Sequence, residues 1–96
     1  MTEPIRATLL DDSVEFSLTE LCAACRVSED LVVEIVAEGI VEPLGGNRAQ
    51  WRFSGLAVTR IQRVIRLQHE FDVNLPGAAL ALELLEEVER LRRARR

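Results

Sequence analysis

Two cysteines, Cys22 and Cys25, stand three residues apart, and this is the first spacing in the chain that could carry chemistry. A C-x-x-C pair serves either a metal site or a redox couple. A structural zinc site needs four ligands, and the chain's single histidine, His69, lies on a distant segment with no second cysteine pair to complete a set. A redox couple needs the pair at a helix start within a βαβ unit, whereas these two fall inside a helical pattern. They are therefore expected to be core residues, with no metal bound. His69 cannot be matched with a Ser or Cys nucleophile and an orienting acid in any recognisable pattern. Gly45-Gly46 is a turn, not a phosphate cradle. No catalytic residue, no cofactor and no enzymatic activity are expected.

The remaining candidates are charges. Sixteen acidic residues against 12 basic ones give a net charge of −4, so phosphate attraction cannot come from the chain as a whole. Arg48, Arg52, Arg60, Arg63 and Arg66 form the one candidate basic surface. They either hold a nucleic-acid backbone or pair with the chain's own acids, and the net charge favours the second. Glu29, Asp30, Glu34 and Glu38 recur on a single predicted helix. Read one residue at a time they are a solvated face; as a cluster they suit a partner of opposite charge and repel phosphate.

These residues need elements to hold them. Ninety-six residues that are 48% hydrophobic fit one folded domain. Residues 1–14 read as an arm, with a short edge strand at 7–10 and a turn at 11–13. A short strand at 15–18 leads into a first helix over about 18–24, capped by Ser17 or Thr19. Ser28 caps a second helix over about 29–38, whose first-turn Glu29 and Asp30 suit the positive helix end, and Gly39 supplies its left-handed stop. Two short helices so joined form a helix-turn-helix. Residues 40–43, a turn at 45–47 and the alternation at 50–53 predict a β-hairpin wing, with Trp51 and Phe53 anchoring it to the core. Leu56, Val58, Ile61, Val64, Ile65 and Leu67 follow the helical period in a third helix ending near Phe71. Asn74 or Asp72 caps a last helix over about 76–92, with Pro76 in its first turn. There Leu80, Leu84, Val88 and Leu91 make one apolar stripe, broadened by Leu82 and Leu85, and an Arg-rich tail follows from Arg90. Part of that stripe must pack on the domain. The rest, Leu84, Val88 and Leu91, suits pairing with a second copy.

A lone cysteine pair without a disulfide framework points to a reducing cytoplasm. No stretch approaches the ~18 to 20 apolar residues of a bilayer span, and the first ten residues lack a leader pattern, so neither secretion nor a membrane is expected.

The order and spacing of TELC at 19–22, VEP at 41–43, Trp51-x-Phe53, RLQHE at 66–70 and LPG at 75–77 carry a resemblance over about residues 16–92. The chain resembles the winged-helix domain of MerR-type regulators and, among these, the chaperone-modulatory CbpM family. The resemblance implies a mostly α, MerR-like winged helix-turn-helix over residues 15–75 with a small β-hairpin wing, and a C-terminal helix at 76–96 packed on it. It also implies a partner, the J-domain of a DnaJ-like co-chaperone of the CbpA type, whose stimulation of the Hsp70 DnaK would be inhibited. J-domains carry a basic second helix beside an HPD loop, which Glu29, Asp30, Glu34 and Glu38 would complement. The alternative is a MerR-type transcription regulator holding phosphates with Arg48, Arg52, Arg60 and Arg63. Recognition helices of such regulators present Arg and Tyr to the groove, and the second helix here offers neither.

Overall fold

The computed structural model of the chain describes residues 14–95. The edge strand expected at 7–10 lies outside them, as does all of the expected arm except Val14. The elements are β1 (Glu15–Ser17), α1 (Leu18–Cys25), α2 (Glu29–Ala37), a 3-10 turn (Arg48–Gln50), β2 (Arg52–Ser54), α3 (Gly55–Phe71) and α4 (Leu75–Ala94). Contacts divide the chain into two compact units, one ending at Gln62 and one starting at Arg63, so the division falls inside α3. This is the mostly α winged helix-turn-helix that the residues predict, with four helices and a small antiparallel β element.

In the first unit the helix starts are written locally. Ser17 Oγ accepts from the Glu20 N–H at 3.1 Å while Glu20 Oε1 accepts from the Ser17 N–H at 2.8 Å, a reciprocal capping box that opens α1. Ser28 Oγ accepts from the Leu31 N–H at 3.1 Å and opens α2. Between them Arg26 takes a left-handed conformation, φ 59°, which a residue with a Cβ adopts at a cost of roughly 1–2 kcal/mol. The Val27 N–H, donating to the Cys22 carbonyl at 3.1 Å, closes this tight turn. Gly39, at φ +77°, ends α2 as its type predicts.

The wing differs in detail from the hairpin expected between 40–43 and 50–53. Its arms meet at one antiparallel bridge, Leu44 with Arg52, through N–H···O bonds of 2.8 and 2.9 Å. Ile40 and Val41 turn into the core instead of extending the ladder, and Gln50 is coiled into the 3-10 turn that Asn47 caps. Gly45, at φ +106°, has no room for a side chain, since a Cβ would lie 2.4 Å from the Gln50 carbonyl oxygen. The ladder of β2 is instead made with β1, pairing Glu15 with Ser54, Phe16 with Phe53 and Ser17 with Arg52. α1 packs on α2 and on both strands.

Leu18, Leu21, Val32, Ile35, Phe53, Val58 and Ile61 are buried in this unit. Phe53 is the largest fully buried side chain. Trp51 is only half-buried and meets Phe53 edge-on, with centroids 5.8 Å apart and planes at 85°; one of the two expected anchors is thus core and the other covers it. Leu56 is exposed, because it stands in the first turn of α3 on the side away from Val58 and Ile61.

In the second unit α3 ends at Phe71, Asp72 turns left-handed at φ 52°, and Asn74 Oδ1 accepts from the Gly77 N–H at 2.8 Å to open α4 with Pro76 in its first turn. α4 returns antiparallel to α3, as the Arg63–Glu89 ion pair at 2.7 Å fixes. Val64, Leu67, Ala78 and Leu82 are its buried side chains. Among the described residues no helix is long and apolar enough to cross a membrane.

Candidate functional site

α2 presents its charge on one side. At 3.6 residues per turn, Asp30, Glu34 and the C-cap Glu38 fall within about 80° of arc, with Asp30 and Glu34 about 100° or more from the buried Val32 and Ile35. All three are exposed, and none forms an ion pair with another described residue. Glu29 is exposed too but stands apart, about 100° round the helix from Asp30. Its Oε1 accepts from Arg48 Nη2 at 3.1 Å, so the wing is tied to the first turn of α2. Three of the four predicted acids are therefore brought together, and the fourth is engaged within the chain.

The candidate basic surface is largely spent internally. Arg48 is paired with Glu29 and Arg63 with Glu89. Arg52 donates to the Trp51 carbonyl at 2.9 Å, and Arg60, half-buried, donates to the Ile40 carbonyl. Arg66 and His69 are exposed on α3, His69 in its last turn. The Glu89 carboxyl is held below the usual carboxylate range by its hydrogen bond from Arg63 and by that charge.

Cys22 and Cys25 are free thiols, and both are only half-buried, which corrects the expectation of a core pair. α1 is eight residues long and Cys25 is its last, so the helix ends before the pair can be enclosed. Burial nevertheless pushes the Cys25 thiol up to about 11, reinforced by Cys22. Burial and then Glu29 raise the Cys22 thiol, with Arg48 opposing. Neither residue has the thiolate character that reactivity requires. Among the described residues no group of three or more His, Cys, Asp or Glu could hold a metal ion.

The second unit exposes the opposite chemistry. Leu80 (58% exposed), Leu84 (58%), Val88 (44%) and Leu91 (50%) run along one side of α4, so the predicted stripe is uncovered. Beside it lies an apolar groove of about 400 Å³ lined by Leu67, Phe71, Val73, Ala81, Leu84 and Leu85. Sequence reasoning missed this groove. Its only signals are the widening of the stripe at Leu85 and an aromatic residue placed where α3 must end.

Comparison with known proteins places this geometry. The family model described as MerR HTH family regulatory protein matches residues 16–96. The Chaperone modulatory protein CbpM of Salmonella arizonae is 42% identical to the chain over 84 residues, covering 88% of this chain and 83% of that protein. The proteins of the same name from Salmonella newport and Salmonella heidelberg match to the same extent. With the family model spanning residues 16–96 and relatives 42% identical over 88% of the chain, the chain belongs to the chaperone-modulatory CbpM family, within the MerR class of helix-turn-helix proteins.

Proposed function

We propose that this chain is a cytoplasmic chaperone modulator that binds the J-domain of a DnaJ-like, CbpA-type co-chaperone through Asp30, Glu34 and Glu38, with Glu29 at the rim. By covering the surface that the J-domain offers to its Hsp70, DnaK, it inhibits stimulation of that ATPase. It acts by binding alone, without a catalytic centre or a cofactor. The observation that carries this reading is the exposed carboxylate strip on α2, unpaired among the described residues, in the position where relatives built for DNA present cations. Such a strip attracts a basic helix, sets association rate and partner choice, and repels phosphate. The names of the relatives support a chaperone-linked partner. The internal engagement of Arg48, Arg52, Arg60 and Arg63 weighs against the DNA-binding alternative. The uncovered side of α4, with Leu84, Val88 and Leu91, further supports a homodimer.

The test is Hsp70 ATP turnover stimulated by the J-domain, titrated with this chain. Stimulation should fall in a saturable way and return when more Hsp70 is added, as competition requires. Unchanged stimulation at a large excess of the chain contradicts the proposal. Duplex DNA should show no micromolar binding at physiological salt.

A further inference from the structure

The wing and the start of α2 enclose a cleft of about 370 Å³, lined by Ser17, Leu18, Thr19, Glu29, Arg48 and Ala49. Leu18 is buried and gives it an apolar wall, Thr19 is exposed and offers a hydroxyl, and Glu29 supplies the one carboxylate among these residues. That carboxylate is met by the chain's own Arg48, carried there by the 3-10 turn. Resting on the reading of α2 as the J-domain-binding helix, we propose that the cleft receives a cationic side chain of the partner's basic helix, and that Arg48 is its internal stand-in, displaced from Glu29 when the partner binds.

The Arg48–Glu29 pair is easily exchanged. Both side chains are 50% exposed, and a pair so open to water contributes little. Among the described residues Arg48 spends one of its five N–H groups on one carboxylate oxygen, which leaves Glu29 Oε2 for another donor. Arg90 shows the contrast: its Nε and Nη2 grip both oxygens of Glu87, the two-point geometry that suits arginine and carboxylate. An incoming guanidinium can adopt that geometry on Glu29. The position fits as well. The strip from Asp30 to Glu38 is about 12 Å long at 1.5 Å per residue, and Glu29 stands at its start. A basic helix laid along the strip can bring a long side chain to the mouth of the cleft. With Arg48 in place the charges in the cleft cancel; with Arg48 displaced, a fourth carboxylate joins the strip. Only a cationic group gains from that exchange, so Arg48 sharpens the choice of partner.

Two titrations test this, one with the partner and one without it. Arg48→Met removes the charge and keeps an apolar stem over the cleft. In calorimetry with a CbpA-type J-domain, Arg48→Met should tighten binding about threefold to fivefold, the worth of an exposed pair, and Glu29→Gln should weaken it. Arg52→Met, which takes the same charge from a wing residue that does not line the cleft, should give a clearly smaller gain. In a Glu29→Gln chain the gain from Arg48→Met should vanish. The second titration uses methylguanidinium chloride, followed by amide shifts at Thr19, Glu29 and Ala49 in NMR spectra. It should bind Arg48→Met saturably and more tightly than the wild type, and Glu29→Gln not at all. J-domain affinity that Arg48→Met leaves unchanged or weakens overturns the inference, as does a gain that persists without the Glu29 carboxylate or that Arg52→Met matches. Methylguanidinium that shows no preference for Arg48→Met overturns it too. A wild-type chain that fails to bind the J-domain removes the reading of α2 itself, and the methylguanidinium titration then still decides whether the cleft is a cation site.

Discussion

α2 and α4 each leave one whole side uncovered, and they do so with opposite chemistry. On α2 the uncovered residues are Asp30, Glu34 and Glu38; on α4 they are Leu80, Leu84, Val88 and Leu91. A carboxylate in water is already solvated, so the α2 strip can stand free indefinitely and be covered by a visiting protein and released. An apolar stripe in water forgoes about 25 cal/mol per Å² of burial, and contiguous exposed patches of this kind mark interaction sites. On the proposed reading, the difference separates two uses of one small fold: a charged helix for an exchangeable partner and an apolar helix for lasting cover.

The sharpest break of that comparison lies within α4 itself, between two leucines. Leu82 is fully buried and Leu84 is 58% exposed. Leu82→Ala should destabilise the chain by about 2–5 kcal/mol, read as a drop in urea midpoint. Leu84→Ala should leave the monomer within about 1 kcal/mol of the wild type while weakening self-association in sedimentation. Equal losses of stability from both would show Leu84 to be core. On α2, Ser28→Ala removes the cap that holds the first turn and should cost about 1 kcal/mol, which thermal denaturation can measure. If the acidic strip serves only as a partner surface, its carboxylates should cost less than this cap when changed singly.

A third effect concerns Cys25, the half-buried free thiol that ends α1. The folded chain keeps the Cys25 proton to about pH 11, whereas the unfolded thiol loses it near 9. The folded state therefore binds more protons in that window, and stability must fall as pH rises from 9 to 11. The loss attributable to Cys25, reduced by solvent screening of a half-buried thiol, should stay below about 1 kcal/mol at pH 10 and should vanish in Cys25→Ala. A pH profile that the substitution leaves unaltered would place the titration elsewhere.

What was legible in the sequence was what is local. Ser28 and Asn74 act as caps because a side-chain oxygen three residues before a backbone N–H needs nothing from the rest of the fold. Gly39 ends α2 for the same kind of reason. The pairing of β1 with β2 was not legible, because it joins Phe16 to Phe53 across the helix-turn-helix while the local pattern suggests a hairpin with residues 40–43. Arg26 was also hidden: nothing in its type announces a left-handed turn, which the short link between Cys25 and Ser28 imposes. For the candidate site, the sign of α2 was plain from composition. The removal of Glu29 from that strip by Arg48, and the groove beside Leu84, depend on contacts between segments far apart in the chain.

The most direct measurement is a calorimetric titration of a CbpA-type J-domain with the wild-type chain and with a folded Asp30→Lys, Glu34→Lys, Glu38→Lys variant. Rim charges are worth about 1 kcal/mol or less each, and a charge desolvated on binding about 2–5 kcal/mol. The triple change should therefore weaken binding at least tenfold, with circular dichroism showing the fold retained. Equal affinity for both chains would contradict the assignment of α2 as the partner-binding helix.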